Sequence, residues 1–321
     1  MAGYGKSQAK SGAGFQIGAG DIACCLVFGG AENLVITPSK LKRRLKSILD
    51  VNRDRGSQVE QIALMMAYKQ LCHERIPPDF RDTGFRVHSQ FEEDGLLLYI
   101  FAVIGATNRK CVEICCGDGI ECNSANLILN HRWIGMLVDG DRQNTSKAQE
   151  FYGNAKDSGF WPPVVLNEWI TAENVNELVE RNGFGGAIDL LSLDLDGVDY
   201  WVWRSLRAAS PRVVVLEFNH LWGPEISVTV PYRPDFRAEL TQFGSDYAGA
   251  SLAAFVKLGR EKGYRLVGTN AIATNALFVR NDIQSEWFPE ISPSSCFWHP
   301  RARFGMEKHL PGVKAKSWEA V

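Results

Sequence analysis

The 321-residue sequence predicts a doubly wound α/β protein, a mostly parallel sheet whose last strand is reversed, preceded by a helical extension. Three observations predict it. From Lys110 onward, short apolar runs alternate with segments of helical period. The first of these runs ends in a sharp glycine turn, Gly117-Asp118-Gly119. The final two runs, 264–268 and 276–279, are separated only by a polar turn. Parallel neighbours need a helical crossover, so that last pair is antiparallel.

The elements follow in order. Residues 1–36 carry no clear period. From Pro38 a helix is expected, with Leu41, Leu45, Ile48 and Leu49 on one face and Lys42, Arg43, Arg44 and Lys46 around it. That basic run reads as the solvated face of an accessory helix, with an RNA or phosphate patch as the alternative. A second helix, 58–71, spaces Ile62, Leu64, Met65, Met66 and Tyr68, and Pro77-Pro78 ends it. Residues 1–80 thus form an N-terminal helical extension, 81–283 the α/β domain, and 284–321 a tail. Within the domain the pattern gives strand 111–115, helix 123–130, strands 133–139 and 164–169, and helix 172–181 with Thr171 placed to cap it. Strand 188–194, helix 200–209, strand 213–218 and helix 252–261 complete it, the last with Leu252, Phe255, Val256 and Gly259 on one side.

Composition narrows the classes. Hydrophobic residues make up 45% and charged residues 22%, which excludes a disordered or fibrous chain. A net charge of −2 points to neither nucleic acid nor an anionic membrane. The longest apolar run, 96–106, falls short of the roughly 20 residues a spanning helix needs. The eight cysteines include no C-x-x-C. Cys111, Cys115, Cys116 and Cys122 crowd one segment without a zinc spacing, so they read as buried and reduced. The apolar piece 22–28 is too short for a secretory signal, and the chain is expected in the cytoplasm, with a homodimer possible.

The chemistry gathers at predicted strand ends, where ligands bind in open α/β sheets. Gly117 and Gly119 let backbone approach a ligand, and Glu113 lies in the carboxyl half of the first strand. Asp139 ends the second strand, where a carboxylate can accept both hydroxyls of a ribose. Glu168-Trp169 ends the third, offering a hydrogen-bonding group and a flat surface for adenine. A nucleoside cofactor is the reading. A dinucleotide fingerprint would require a third glycine where Cys122 stands.

The segments Ser89-Gln90-Phe91-Glu92-Glu93-Asp94-Gly95, Glu113-Ile114-Cys115-Cys116-Gly117-Asp118-Gly119-Ile120-Glu121-Cys122-Asn123 and Asp194-Leu195-Asp196-Gly197 resemble the FkbM-type family of SAM-dependent methyltransferases. The resemblance runs over about two thirds of the chain, residues 85–282. It implies a Rossmann-like class I methyltransferase sheet and O-methylation of a sugar or natural-product hydroxyl, a small-molecule acceptor. It also implies that Gln90 and Glu92 border the methionine end of S-adenosyl-L-methionine and that Asp139 binds its ribose; Glu113, Gly117, Gly119, Asn123, Glu168 and Trp169 are the other residues expected at the cofactor site. Many members carry Asp-x-Glu-Gly after the fourth strand, where this chain has Asp-Leu-Asp-Gly.

In such a sheet the fourth and fifth strand ends face the transferred methyl, placing Asp194, Asp196, Glu217, Asn219 and His220 around the acceptor. His220 has the intrinsic pKa of a general base. Asp194, Glu217 and Asn219 offer oxygen ligands for one Mg²⁺. Asp194-Leu195-Asp196-Gly197-Val198 also reads like the nucleophile loop of haloacid-dehalogenase phosphatases, the runner-up chemistry, though it stands on the fourth strand rather than the first. A non-catalytic protein that binds SAM is a third reading. The irregular stretch 221–236 is expected to line the acceptor pocket. The aromatic tail, with Trp287, Phe288, Phe297, Trp298 and Phe304, is expected to pack on the domain or cover the substrate.

Overall fold

The computed structural model describes residues 57–156, 158–240 and 246–321. The helix expected from Pro38 and the apolar piece 22–28 lie outside the described residues. Residues 57–73 form helix α1, in the same compact unit as the sheet. Seven strands make the sheet: β1 (Lys110–Ile114), β2 (Ile134–Asp139), β3 (Val164–Asn167), β4 (Gly186–Leu193), β5 (Ala209–Glu217), β6 (Tyr264–Thr269) and β7 (Asn275–Arg280). Their order is β3-β2-β1-β4-β5-β7-β6, with the first five parallel and β7 antiparallel to both neighbours. This is the Rossmann-like methyltransferase arrangement. The reversed strand is the last in sequence, as expected, and it lies between β5 and β6.

Helices α2 (Glu93–Ile104), α3 (Ala125–His131), α4 (Arg142–Asn154), α5 (Val175–Arg181), α6 (Asp199–Ser205) and α7 (Leu252–Glu261) flank the sheet. Two cores result, because side chains alternate across each strand. Val112 and Ile114 of β1 join the core with α5, α6 and α7, and Cys111 joins the one with α1, α2, α3 and α4. Trp203, between Phe255, Tyr264 and Phe278, anchors the first.

Several expectations need correction. The apolar run 96–106 is largely helix α2, buried almost all round. Helix α4 escapes the apolar pattern because it buries only Thr145, Ala148 and Tyr152. Helix α5 begins three residues later than expected, after Asn174, whose Oδ1 accepts from Thr171 N while its backbone N–H donates to Thr171 Oγ1. In α1 the apolar spacing misleads: Gln61, Tyr68 and Cys72 are buried while Ile62 and Met66 are exposed. The stretch 221–236 is core-forming despite its irregularity, since Leu221, Trp222, Val230 and Phe236 are buried.

At the amino ends of the strands, Asp189 of β4 is wholly buried and accepts the backbone N–H groups of Thr107, Asn108 and Arg109. Arg212 of β5 pairs with it at 3.0 Å and donates to the Ile104 carbonyl at the end of α2. Burial alone would raise the Asp189 carboxyl, but these donors hold it below the ordinary carboxylate value. Its stabilisation is therefore present above the unfolded-state pKa and lost as pH falls through the folded one. Asp189→Ala strands Arg212 and three amides. Chemical denaturation should show a loss of about 3–5 kcal/mol.

Candidate active site

At the carboxyl ends of the strands the chain leaves β1 through Cys115, whose φ of +67° is left-handed for a non-glycine residue. The Cys115 and Cys116 N–H groups both donate to the Val138 carbonyl, which forces that turn. Gly117 and Gly119 follow, also left-handed; a Cβ on Gly119 would lie 2.9 Å from that of Ala148, whereas one on Gly117 would meet open space. The turn thus packs on α4 at one glycine and opens onto free space at the other.

Asp139 is buried at the end of β2 and accepts from Gly117 N at 2.9 Å, Asp141 N at 2.7 Å and Asn144 Nδ2 at 3.3 Å. A carboxylate offers about four acceptor sites, so capacity for a ligand hydroxyl remains. Beside it the Trp169 ring lies against Gly140, where a Cβ would stand 2.9 Å from Cε3. The indole donates to the Pro234 carbonyl, and the Arg237 guanidinium lies 4.6 Å from the ring centroid. Gly117, Asp139 and Trp169 therefore share one edge of the sheet.

Other expected cofactor contacts are committed elsewhere. Glu113 is buried and accepts from Asn123 N and Ser124 N at 2.8 and 2.6 Å, fastening the start of α3. The Asn123 amide donates to Ser192 Oγ. Glu168 is paired with Arg181 at 2.6 Å. Glu92 accepts from Ala271 N, and Gln90 is exposed on the adjoining turn.

A second group stands at the ends of β4 and β5. Carboxylate oxygens of Asp194, Asp196 and Glu217 lie within 4.8 Å of one another. The loop between them is held by Asp199, which accepts from Leu195 N and Gly197 N and leaves Asp196 left-handed at φ +51°. Burial raises Asp194 to about 7; its hydrogen bond to Glu217 opposes the shift, and the Asp196, Asp199 and Glu113 charges add to it. Burial and then Asp194 push Glu217 well above the usual range. Cys115 lies among these acids: burial, then Asp139 and Asp194, raise its thiol and keep it protonated. Sequence reasoning placed Cys115 in the core. Its position at the end of β1, ahead of the glycines, was the available signal.

A cavity of about 420 Å³ opens beside Asp196 and Glu217. Helix α8 (Pro300–Lys308) closes its far side with Arg301 and Phe304, so part of the tail does line the site. Arg301 also lies 5.9 Å from the Phe91 ring, placing the Gln90 turn at the rim. His220 lines the cavity against Gly305, but burial, Arg301 and His309 lower it to about 4. It is neutral at pH 7 and a weak base, contrary to expectation. Asn219 donates its amide to the Ala248 carbonyl and accepts from Leu221 N.

No protein-family model matches the chain, and comparison with curated proteins finds no match. Among solved structures, the chain is similar to an S-adenosylmethionine-dependent methyltransferase from Clostridium acetobutylicum ATCC 824. That likeness has 10% identity and a TM-score of 0.38, over 68% of this chain and 98% of the other. It is also similar to the methyltransferase domain of bacterial CtHen1-C, at 14% identity and a TM-score of 0.40, over 58% and 96%. A third is the glycopeptide N-methyltransferase MtfA with S-adenosyl-L-homocysteine, at 10% identity and 0.38, over 61% and 92%. The fold assignment rests on the chain's own strand order.

The raised carboxyls have a consequence for stability. A group whose folded pKa is raised stabilises below its unfolded pKa, and that contribution is lost as pH rises through the folded value. Asp194→Asn, the neutral isostere, should therefore raise Tm more at pH 8 than at pH 5. Thermal melts at the two pH values check this.

Proposed function

We propose that the protein is a SAM-dependent methyltransferase acting on a hydroxyl of a small molecule, with Asp194 as the proton acceptor and Glu217 as its hydrogen-bond partner. One observation carries the reading: Gly117, Asp139 and Trp169 stand on the β1–β3 side of the β1/β4 junction, and the acid pair with its cavity stands on the other. Ligands of open α/β sheets bind across such a junction. The residues present fit the cofactor: an open glycine backbone, a carboxylate with acceptor capacity, and an aromatic wall. S-adenosyl-L-methionine supplies an electrophilic methyl group on a sulfonium.

The chain's own residues then have defined tasks. Asp139 takes ribose hydroxyls, Trp169 flanks the base, and the cavity walls Phe304 and Arg301 orient the acceptor. Asp194, poised near neutral pH, removes the hydroxyl proton, while Glu217 keeps its own proton and donates it in a hydrogen bond that orients the Asp194 carboxylate. The resemblance to FkbM-type enzymes supports the same acceptor class. Grouping of Asp194, Asp196 and Glu217 favours a second reading of the same step, in which a divalent cation such as Mg²⁺ held by these oxygens lowers the hydroxyl's pKa. Phosphatase chemistry fares worse, because the Asp194-Leu195-Asp196 loop follows the fourth strand, β4, and not the first.

Calorimetry should show SAM and S-adenosylhomocysteine binding and no NAD binding, with Asp139→Ala losing about 1.5–3 kcal/mol. NAD binding in place of SAM overturns the reading. For turnover, kcat should rise with pH and level off above about 7. Asp194→Asn should lower kcat about 10²–10⁴-fold at unchanged SAM affinity, and His220→Ala should have a far smaller effect. Loss of turnover in EDTA, restored by Mg²⁺, selects the cation reading.

A further inference from the structure

A second cavity, also about 420 Å³, lies at the opposite, amino-terminal end of the strands, between α1, α2 and α3. Met65, Leu98, Phe101, Leu127 and Trp133 give it an apolar part, beside the polar Gln58 and Asn130. Lys69, Arg109 and Arg132 line the same cavity from three separate segments, and no acidic side chain does so among the described residues. None of these cations forms an ion pair among the described residues. The neighbouring His131 adds no charge near pH 7, because burial and then Arg109 lower it to about 4; its Nε2 is engaged with Gln61.

Two of the cations sit at a conformational cost. Arg109 and Arg132 have φ of +55° and +59°, the region where glycine or asparagine is favoured. Arg109 holds the entry to β1, where its carbonyl accepts from Ile134 N, and Arg132 caps the end of α3. Either turn would form more easily with glycine. Arginine at both positions, lining one cavity, is strain that a packing role does not need.

We propose that this cavity is a binding site for a small amphipathic anion, an apolar body in the Phe101–Trp133 pocket with a carboxylate or phosphate head between Arg109, Arg132 and Lys69. Unpaired guanidinium groups are suited to such heads, and a cavity of this size suits a body of about eight carbons. The site is remote from the strand ends that carry Asp139 and Glu217. It stands whether or not the methyltransferase reading does.

The test is isothermal titration of the full chain with octanoate and octyl phosphate, with octanol and inorganic phosphate as controls. The variant is Arg109→Gly/Arg132→Gly, which relieves both left-handed positions and so melts no lower than wild type. Saturable binding of an octyl anion, at least tenfold tighter than either control and weakened at least tenfold in the variant, is the expected result. The preferred head group then separates a carboxylate from a phosphate ligand. Absence of saturable binding, equal binding of octanol, or unchanged affinity in the variant would overturn the site.

Discussion

One device recurs through the molecule: a buried carboxylate that accepts the backbone N–H groups of a neighbouring loop. Glu113 takes two amides at the start of α3, Asp139 ties the glycine turn to the start of α4, and Asp199 holds the loop after β4. Asp94 gathers the amides of Val87, His88 and Ser89, and Asp189 does the same at the other end of the sheet. A buried amide without a partner costs about as much as a lost hydrogen bond, so each acid fixes a segment that has little regular structure of its own. The geometry of the cleft depends on these fastenings.

Against that pattern Asp194, Asp196 and Glu217 are exceptions. No backbone N–H among the described residues donates to their side chains, and they face each other and a cavity instead. Desolvation without compensating donors is what lifts Asp194 and Glu217 out of the ordinary carboxylate range. Hydrogen-bond accounting thus separates the buried acids that hold the chain from the half-buried Asp194 and Glu217, which cluster beside the cavity.

The same accounting explains what could be read in advance. Strand runs and their closing antiparallel pair were legible because a sheet buried on both faces writes itself as apolar text. Helix α7 was too, with a clean apolar side. Helix α4 was not, since three buried side chains leave no periodic signal. Among the candidate site residues, Asp139, Trp169, Asp194, Asp196 and Glu217 could be named from their places at strand ends. Sequence could not tell that Glu113 would spend its carboxylate on α3, that Glu168 would pair with Arg181, or that burial would weaken His220. Those outcomes depend on contacts between residues far apart in the chain.

The insertion of β7 between β5 and β6 has a consequence for how the molecule comes into being. Asn275, at the head of β7, lies opposite Glu217, and its amide reaches back to Glu93, 182 positions earlier. Asn270 in the preceding turn reaches the same carboxylate. During synthesis, β5 waits with an open edge until nearly the whole chain has been made, because its neighbour is the last strand to arrive. Contacts of such long range close slowly, and an unpaired strand edge is a site of misassembly. The acidic cluster is therefore completed late in assembly, and a nascent chain that stalls before residue 275 carries Glu217 at an open strand end, without the partner strand that lies beside it.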